Sequence, residues 1–252
     1  MIKGLYAAAS AMVAQINQQK LLTHNAANMN TPGFKQTLSS LSEWWTTPAY
    51  TATDGIDTTY GNWLGNLGLG VESLPEISDF SSGALESTGE IYDVAISGEG
   101  FFRVKTPDGE RLTRDGRFNR DAKGNLVTVD GYQILNSAGQ PIVLPDGTPS
   151  FAQDGTVTVN GVNAGKIALV SFKDPETELT RDGENMFLAA GAPTGESVGT
   201  IEQGYLEMSN VDSASLMTQM VTVARAYEAA QKMVQNQDEL LGKSISTLGK
   251  IG

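Results

Sequence analysis

The chain has 252 residues, no cysteine, one histidine and a formal net charge of -12. Disulfide scaffolds and cysteine metal sites are therefore excluded, and general nucleic-acid binding is disfavoured because it requires a basic surface. No run approaches the roughly 18 to 20 apolar residues of a membrane span, and we expect no Sec-type signal peptide.

The first predicted element is a helix from residue 1 to about residue 29. Its apolar side chains recur three or four positions apart at Ile2, Leu5, Ala9, Met12 and Ile16, which is the spacing of one helix face. Pro32 disfavours the helical conformation of Thr31, and Gly33 permits a turn. The helix is therefore expected to end before Pro32.

The following segment, residues 38–70, has neither a helical period nor a sustained alternation. Its aromatic residues lie among Thr, Gly and Asn, at Trp44, Trp45, Tyr50, Tyr60 and Trp63. We predict an extended excursion whose aromatic side chains fold onto the domain. Contact with a neighbouring protein is the alternative.

The middle of the chain predicts β structure, because short runs of Val, Ile, Phe and Tyr alternate with Gly-containing turns. The predicted strands are Val94 to Ile96, Phe101 to Lys105, Asn125 to Val129, Tyr132 to Leu135, Thr156 to Val159 and Lys166 to Phe172. Asp-Gly or Asn-Gly pairs begin at residues 108, 115, 130, 146, 154, 160 and 182. Such frequent turn signals indicate an antiparallel sheet or an open barrel.

The residues that catalysis or metal binding needs are sparse. His24 is the only histidine, and the glycines of Ser97–Phe102 do not match a dinucleotide or phosphate loop. Carboxylates are abundant, but abundance singles out no glycosidase pair. We predict no enzyme activity, no catalytic residue, no cofactor and no metal site.

The last predicted element is a long helix that begins near Asp212 or Ser213, either of which can cap it. Its apolar seam consists of Leu216, Met220, Val223, Tyr227, Ala230, Val234, Leu241 and Leu248, interrupted only by Gln237 and Ser244. A helix this long with one apolar stripe needs a partner surface. The candidates are the N-terminal helix and the helices of neighbouring subunits.

Five segments, in the N-terminal, central and C-terminal parts of the chain, resemble flagellar rod and hook proteins. After the first helix, the sequence HNAANMNTPGFK over residues 24–35 is similar to the N-terminal signature of that family, with His24 and Ala26 as departures from it. The central sequences YDVAISGEGFFRV (92–104) and TRDGRF (113–118) also resemble the family, as do GYLEMSNV (204–211) and RAYE (225–228) near the C-terminus. These matches occur in one order and cover most of the chain.

The resemblance implies a structural subunit of the flagellar basal body, most similar to the proximal rod protein, with the distal rod protein next. It further implies export through the flagellar type III apparatus and assembly into the rod in the periplasm. The implied partners are copies of the chain itself and other rod proteins, proximal and distal. Nucleic acid and a membrane span are not expected.

The predicted fold is α+β, with the N- and C-terminal helices pairing as a coiled-coil-like layer and the middle of the chain forming a mainly antiparallel β domain. The predicted segments are 1–35 (helix and turn), 36–75 (aromatic and Gly-rich excursion), 76–204 (β-rich domain) and 205–252 (C-terminal helix). The predicted subunit interface comprises Leu5, Met12, Ile16, Leu216, Met220, Val223, Tyr227, Val234 and Leu241. The family motif residues are Asn25, Asn28, Thr31, Gly33, Phe34, Lys35, Ser209, Asn210, Val211 and Arg225.

Two other classes of protein remain possible at this point. A secreted binding module would hold a glycan or peptide on the aromatics from Trp44 to Trp63, and its helices would be a stalk. An enzyme that uses two carboxylates is the third possibility.

Overall fold

The structure, a computed structural model, describes residues 2–50, 63–183, 185–193, 195–196 and 199–248. A long helix lies at each end of the chain, and the strand pairs between them are antiparallel throughout the described residues. The predicted α+β fold class is therefore confirmed. Over the same residues, no helix has an apolar stretch long enough to cross a bilayer.

The helices are α1 (Ile2–Ala27), α2 (Pro175–Glu178) and α3 (Ser213–Leu248). α1 ends two residues before the predicted boundary, and α3 begins at Ser213, as predicted. Pro32 and Gly33 follow α1 as expected, and Gly33 has a positive φ of 70°.

The strands follow one another closely. They are β1 (Thr37–Leu38), β2 (Leu41–Glu43), β3 (Thr46–Tyr50), β4 (Trp63–Gly68), β5 (Val71–Ser73), β6 (Ile77–Ser78), β7 (Leu85–Ser87), β8 (Val94–Ser97), β9 (Phe101–Thr106), β10 (Gly109–Thr113), β11 (Phe118–Arg120), β12 (Leu126–Thr128), β13 (Gln133–Ile134), β14 (Pro149–Phe151), β15 (Thr156–Val159), β16 (Val162–Lys166), β17 (Leu169–Ser171), β18 (Leu179–Arg181), β19 (Met186–Ala189), β20 (Gly195–Glu196), β21 (Thr200–Gln203) and β22 (Tyr205–Glu207).

The chain forms two compact units. Unit 1 comprises residues 1–24, 39–76 and 213–252, and unit 2 comprises residues 25–38 and 77–212. Both long helices belong to unit 1, except that the last turn of α1 belongs to unit 2.

Unit 2 contains the β domain. Its largest sheet runs β11-β12-β13-β9-β10-β19-β18, with β17 paired to β9 and to β20. Phe102, Val104, Leu126 and Ile134 of this sheet lie in the main core, together with Val94, Val157 and Ile201 from β8, β15 and β21. A smaller core is built from Phe101, Leu112, Val170, Phe172, Leu179 and Phe187. The predicted strands are confirmed, although their observed ends differ by a few residues.

The aromatic segment of unit 1 is extended, as predicted, and its described residues form an antiparallel ribbon in which β2 pairs with β5 and β3 pairs with β4. The prediction that its aromatic side chains fold onto the domain is wrong for Trp44 and Trp45, which are 64% and 67% exposed. The sequence of this segment shows little apolar periodicity. Backbone pairing between its strands holds it together, and few of its side chains enter a core. Tyr60 lies outside the described residues, as does the side chain of Trp63.

Along α3, the predicted seam is the least exposed face of the helix. Leu216, Val223 and Ala230 are buried, and Met220, Tyr227, Val234 and Leu241 are half-buried. The seven-residue interval between the buried positions is that of a coiled-coil seam. α1 lies in the same unit and contacts α3. A Cβ added to Gly4 of α1 would lie 3.4 Å from Nε2 of Gln237 on α3.

Within one chain, α1 buries a different face from the one that carries the predicted apolar spacing. The buried apolar residues are Ala8, Ala14, Leu21 and Leu22, whereas Leu5 and Met12 are half-buried and Ala9 and Ile16 are exposed. Because α1 carries small or apolar residues on several faces, the spacing alone did not identify the face that would be buried. Contacts with the ribbon decide it, since Ser10 accepts a hydrogen bond from the main-chain N–H of Val71 (3.1 Å).

Candidate functional site

The candidate site lies in unit 2, where the chain leaves α1 and where it approaches α3. Residues 25–38 and residues 204–212 meet there against the β domain. The main-chain N–H of Gly33 donates to the carbonyl of Glu207 (2.7 Å). A Cβ on Gly33 would lie 2.4 Å from main-chain atoms of Arg114 and Asp115, so the segments pack at backbone distance.

A buried ion-pair cluster joins these segments. Lys35 Nζ donates to Glu207 Oε1 (2.6 Å), and Arg114 Nη1 donates to Glu207 Oε2 (2.9 Å). The three side chains are between 1% and 3% exposed. Lys35, Arg114 and Glu207 are called the Glu207 triad below.

Main-chain groups add hydrogen bonds to the Glu207 triad, whereas the buried Arg114 Nε has no hydrogen-bond partner. Lys35 also donates to the carbonyl of Ser81 (2.7 Å), and Arg114 Nη2 donates to the carbonyl of Gly98 (2.9 Å). Glu207 Oε1 accepts a further hydrogen bond from the N–H of Gly83 (2.9 Å). Such partners are what allow buried charges to persist in a folded protein.

The two cations of the triad outnumber its single carboxylate. Burial lowers the pKa of Lys35 and the pKa of Arg114 below their ordinary values, because water no longer solvates the charges, while the Glu207 carboxylate opposes both shifts. Glu207 is thus the counter-ion on which both buried cations depend.

Two asparagines bind the main chain of residues 36 and 37, at the start of β1. Asn25 is fully buried; its Nδ2 donates to the carbonyl of Thr37 (2.7 Å), and its Oδ1 accepts from the N–H of Thr37 (3.0 Å). Asn210 Oδ1 accepts from the N–H of Gln36 (2.7 Å), and its Nδ2 donates to the carbonyl of Asp79 (2.9 Å). The amide of Asn25 therefore serves the strand main chain rather than the end of α1.

Replacing Asn25 by alanine is expected to lower the free energy of unfolding by about 1 to 3 kcal/mol, because the N–H and carbonyl of Thr37 lose their buried partner. A urea titration followed by circular dichroism measures the change. Asn30→Ala is the control, since Asn30 is exposed in the same segment. Equal midpoints for the two variants would contradict the structural role assigned to Asn25.

Arg181, at the end of β18, and Asn185, just before β19, complete the site. The guanidinium of Arg181 lies 4.5 Å from the ring centroid of Phe34, and Arg181 also donates to the carbonyl of Lys35. Asn185 donates to the carbonyl of Pro32 (2.9 Å). Phe34 is only 1% exposed, so the guanidinium covers a ring that is sealed from water.

The remaining predicted motif residues either contact residues close to them in sequence or lie outside the site. Thr31 donates to Asn28 Oδ1 (3.2 Å) in the turn after α1, and Ser209 Oγ accepts from the N–H of Val211 (3.3 Å). Arg225 lies elsewhere, exposed on α3 in unit 1.

Sequence reasoning missed four contributors: Arg114, Arg181, Asn185 and Glu207. Arg114 and Glu207 lie inside sequence blocks that resemble the family, but nothing in those blocks marks their side chains as buried. A charged residue within a strand or turn is normally solvated. Only the tertiary structure shows that these are not.

Comparisons with known proteins identify the family of this chain. Residues 5–35 match the family model described as flagella basal body rod protein, residues 95–159 match the flagellar hook protein FlgE/F/G D1 domain, and residues 202–248 match the flagellar basal body rod FlgEFG protein C-terminal. The rod protein FlgG of Bacillus subtilis is 31% identical over 98% of this chain and 99% of its own length. The chain belongs to the flagellar basal-body rod protein family.

Other rod-family relatives match over the same extent. FlgF of Caulobacter vibrioides is 33% identical over 100% of both chains, and FlgG of Borreliella burgdorferi is 32% identical over 96% of this chain and 97% of its own. Lys35, Arg114 and Glu207 fall in the three separate segments that match rod-family models. The Glu207 triad is thus where the three family segments of this chain meet.

Proposed function

We propose that this chain is a non-enzymatic structural subunit of the bacterial flagellar basal-body rod, which polymerises through its terminal helices into a torque-transmitting shaft. Its place is the proximal rod in the periplasm, after export by the flagellar type III apparatus. The full-length similarity to basal-body rod proteins, which includes both helices and the β domain, carries the proposal. Relatives named FlgG and FlgF match almost equally well, so the distal rod is the alternative position.

Assembly through the helices is supported by large apolar side chains that a single chain leaves in water. Among the described side chains of α1 and α3, the large apolar ones that are at least half exposed are Tyr6, Val13, Met217, Val221, Met233, Leu240 and Ile245. Burying each against a neighbour would contribute about 1.5 to 3 kcal/mol. The partners are copies of this chain and other rod proteins.

The predicted interface residues differ in how far a single chain already buries them. Leu216 and Val223 are 2% and 8% exposed within one chain, so they stabilise the subunit and act on assembly indirectly. Ile16, at 37% exposure, remains accessible to a neighbour.

The Glu207 triad supports a torque-bearing role, because it fixes the segments that lead from the β domain to α1 and α3.

The test is genetic and structural. Deleting the gene should abolish swimming in soft agar, and the wild-type gene should restore it. Val223→Asp should fail to restore swimming, because an unpaired charge in the seam costs several kcal/mol, roughly 2 to 4. Electron microscopy of isolated basal bodies should then show no complete rod.

Thr222→Asp is the matched control, because Thr222 is exposed on the neighbouring position of α3. It should restore swimming. A deletion strain that swims normally and builds complete rods would overturn the proposed function.

A further inference from the structure

An open groove runs along α1 in unit 1. Its first part is a cleft of about 520 Å³ lined by Tyr6, Trp44, Trp45 and Leu69. The three aromatic side chains are 64% to 68% exposed. Exposed apolar patches of this kind mark interaction surfaces more often than single exposed residues do.

The groove continues past Trp44 into a second hollow of about 390 Å³. It is lined by Ser10, Val13, Ala14, Asn17, Trp44, Val71, Glu72 and Ser73. From Tyr6 to Asn17 the groove follows α1 for about 16 Å, at 1.5 Å per residue. This combined surface is called the α1 groove.

The wall of the α1 groove is fixed before any partner binds. Ser10 Oγ donates to the carbonyl of Ala7 (2.9 Å) and accepts from the N–H of Val71 (3.1 Å). Gln18 donates to the carbonyl of Ser39 (2.9 Å). A Cβ on Gly70 would lie 2.8 Å from Ser10 Oγ, so the ribbon approaches α1 at a distance that only glycine allows.

A row of side chains on α3 matches the groove in chemistry and is short enough to lie within it. Met217 and Val221 are 66% and 53% exposed, and Arg225 is exposed one turn further along. Residues at i, i+4 and i+8 share a helix face and span about 12 Å. Because they remain exposed within a single chain, this row does not occupy the groove of its own subunit.

Charge supports this row as the occupant. Glu72 is an exposed acid in the α1 groove, and none of the residues that line either hollow is a cation. Arg225 would bring a guanidinium to that carboxylate while Met217 and Val221 enter the apolar part. An amphipathic helix laid in an apolar groove is a common recognition mode.

We propose that the α1 groove of one subunit receives the Met217, Val221 and Arg225 row of a second copy. The inference rests on the proposed function and adds to it a pair of contacting surfaces. The two surfaces differ and lie on the same molecule, so the contact is heterologous. When such a contact does not close, it repeats into a helical filament.

Disulfide crosslinking tests the pairing cleanly, because the chain has no cysteine of its own. Ser73→Cys chains and Val221→Cys chains are produced together in the native bacterium, and isolated basal bodies are oxidised. The expected result is a dimer band on a non-reducing gel, in which mass spectrometry identifies a disulfide between the two introduced cysteines. Val162→Cys replaces Ser73→Cys in the control, since Val162 is 62% exposed on β16, and the dimer band should be lost.

A charge exchange gives an independent readout. Glu72→Arg and Arg225→Glu should each reduce swimming, and the double variant should restore it, because the pair is re-formed with opposite polarity. Basal bodies that contain the chain, yield no crosslink and show no recovery in the double variant would overturn the groove contact and leave the rod function standing. A Ser73→Cys adduct with a different protein would overturn the second copy as occupant. Absence of the wild-type chain from basal bodies would overturn the rod function itself.

Discussion

Replacing Glu207 by glutamine is expected to lower the free energy of unfolding by about 3 to 5 kcal/mol, because Lys35 and Arg114 would remain buried without a counter-ion. Glutamine keeps the size of the side chain, so the loss reports charge rather than packing. Amide hydrogen exchange of the buried strand β9 measures the change within unit 2.

Glu86→Gln is the matched control for this change. Glu86 lies on β7, opposite Leu206 in the same strand pair, and its side chain is exposed. It should alter exchange by less than about 0.5 kcal/mol, as surface substitutions usually do. Equal exchange in the two variants would show that the Glu207 triad adds no stability.

Replacing Gly33 by alanine is expected to lower the free energy of unfolding by roughly 3 to 5 kcal/mol, because two effects add. A positive φ of 70° strains any L side chain. The new Cβ would also lie 2.4 Å from the main chain at Arg114 and Asp115, which cannot rotate away as a side chain can. The site must therefore open to accept the methyl group.

Gly89 separates these two effects. It has the same φ of 70°, but a Cβ there would meet nothing within 4 Å. Gly89→Ala should therefore cost only the backbone strain, about 1 to 2 kcal/mol. Equal losses for Gly33→Ala and Gly89→Ala, measured by urea titration, would contradict the close packing inferred at Gly33.

Local physics determined much of this protein from the sequence alone. The apolar period from Leu216 to Leu241 specified both the last helix and its buried face, because a long helix offers only one stripe of that kind. Turn signals such as Asp108-Gly109 marked the ends of strands, because few residues tolerate a positive φ. Pro32 and Gly33 located the end of α1 for similar reasons.

The tertiary structure decided which charged residues are buried together and which face of α1 is buried. Lys35, Arg114 and Glu207 are separated by long stretches of chain, and their sequence contexts give no sign that they share one buried site. On α1, several faces are apolar enough to be buried, and contact with the ribbon at Ser10 selects Ala8, Ala14 and Leu22 rather than Ile16. Sequence pattern records the period of an element, whereas burial of a charge or the choice of a face depends on which distant segments fold against it.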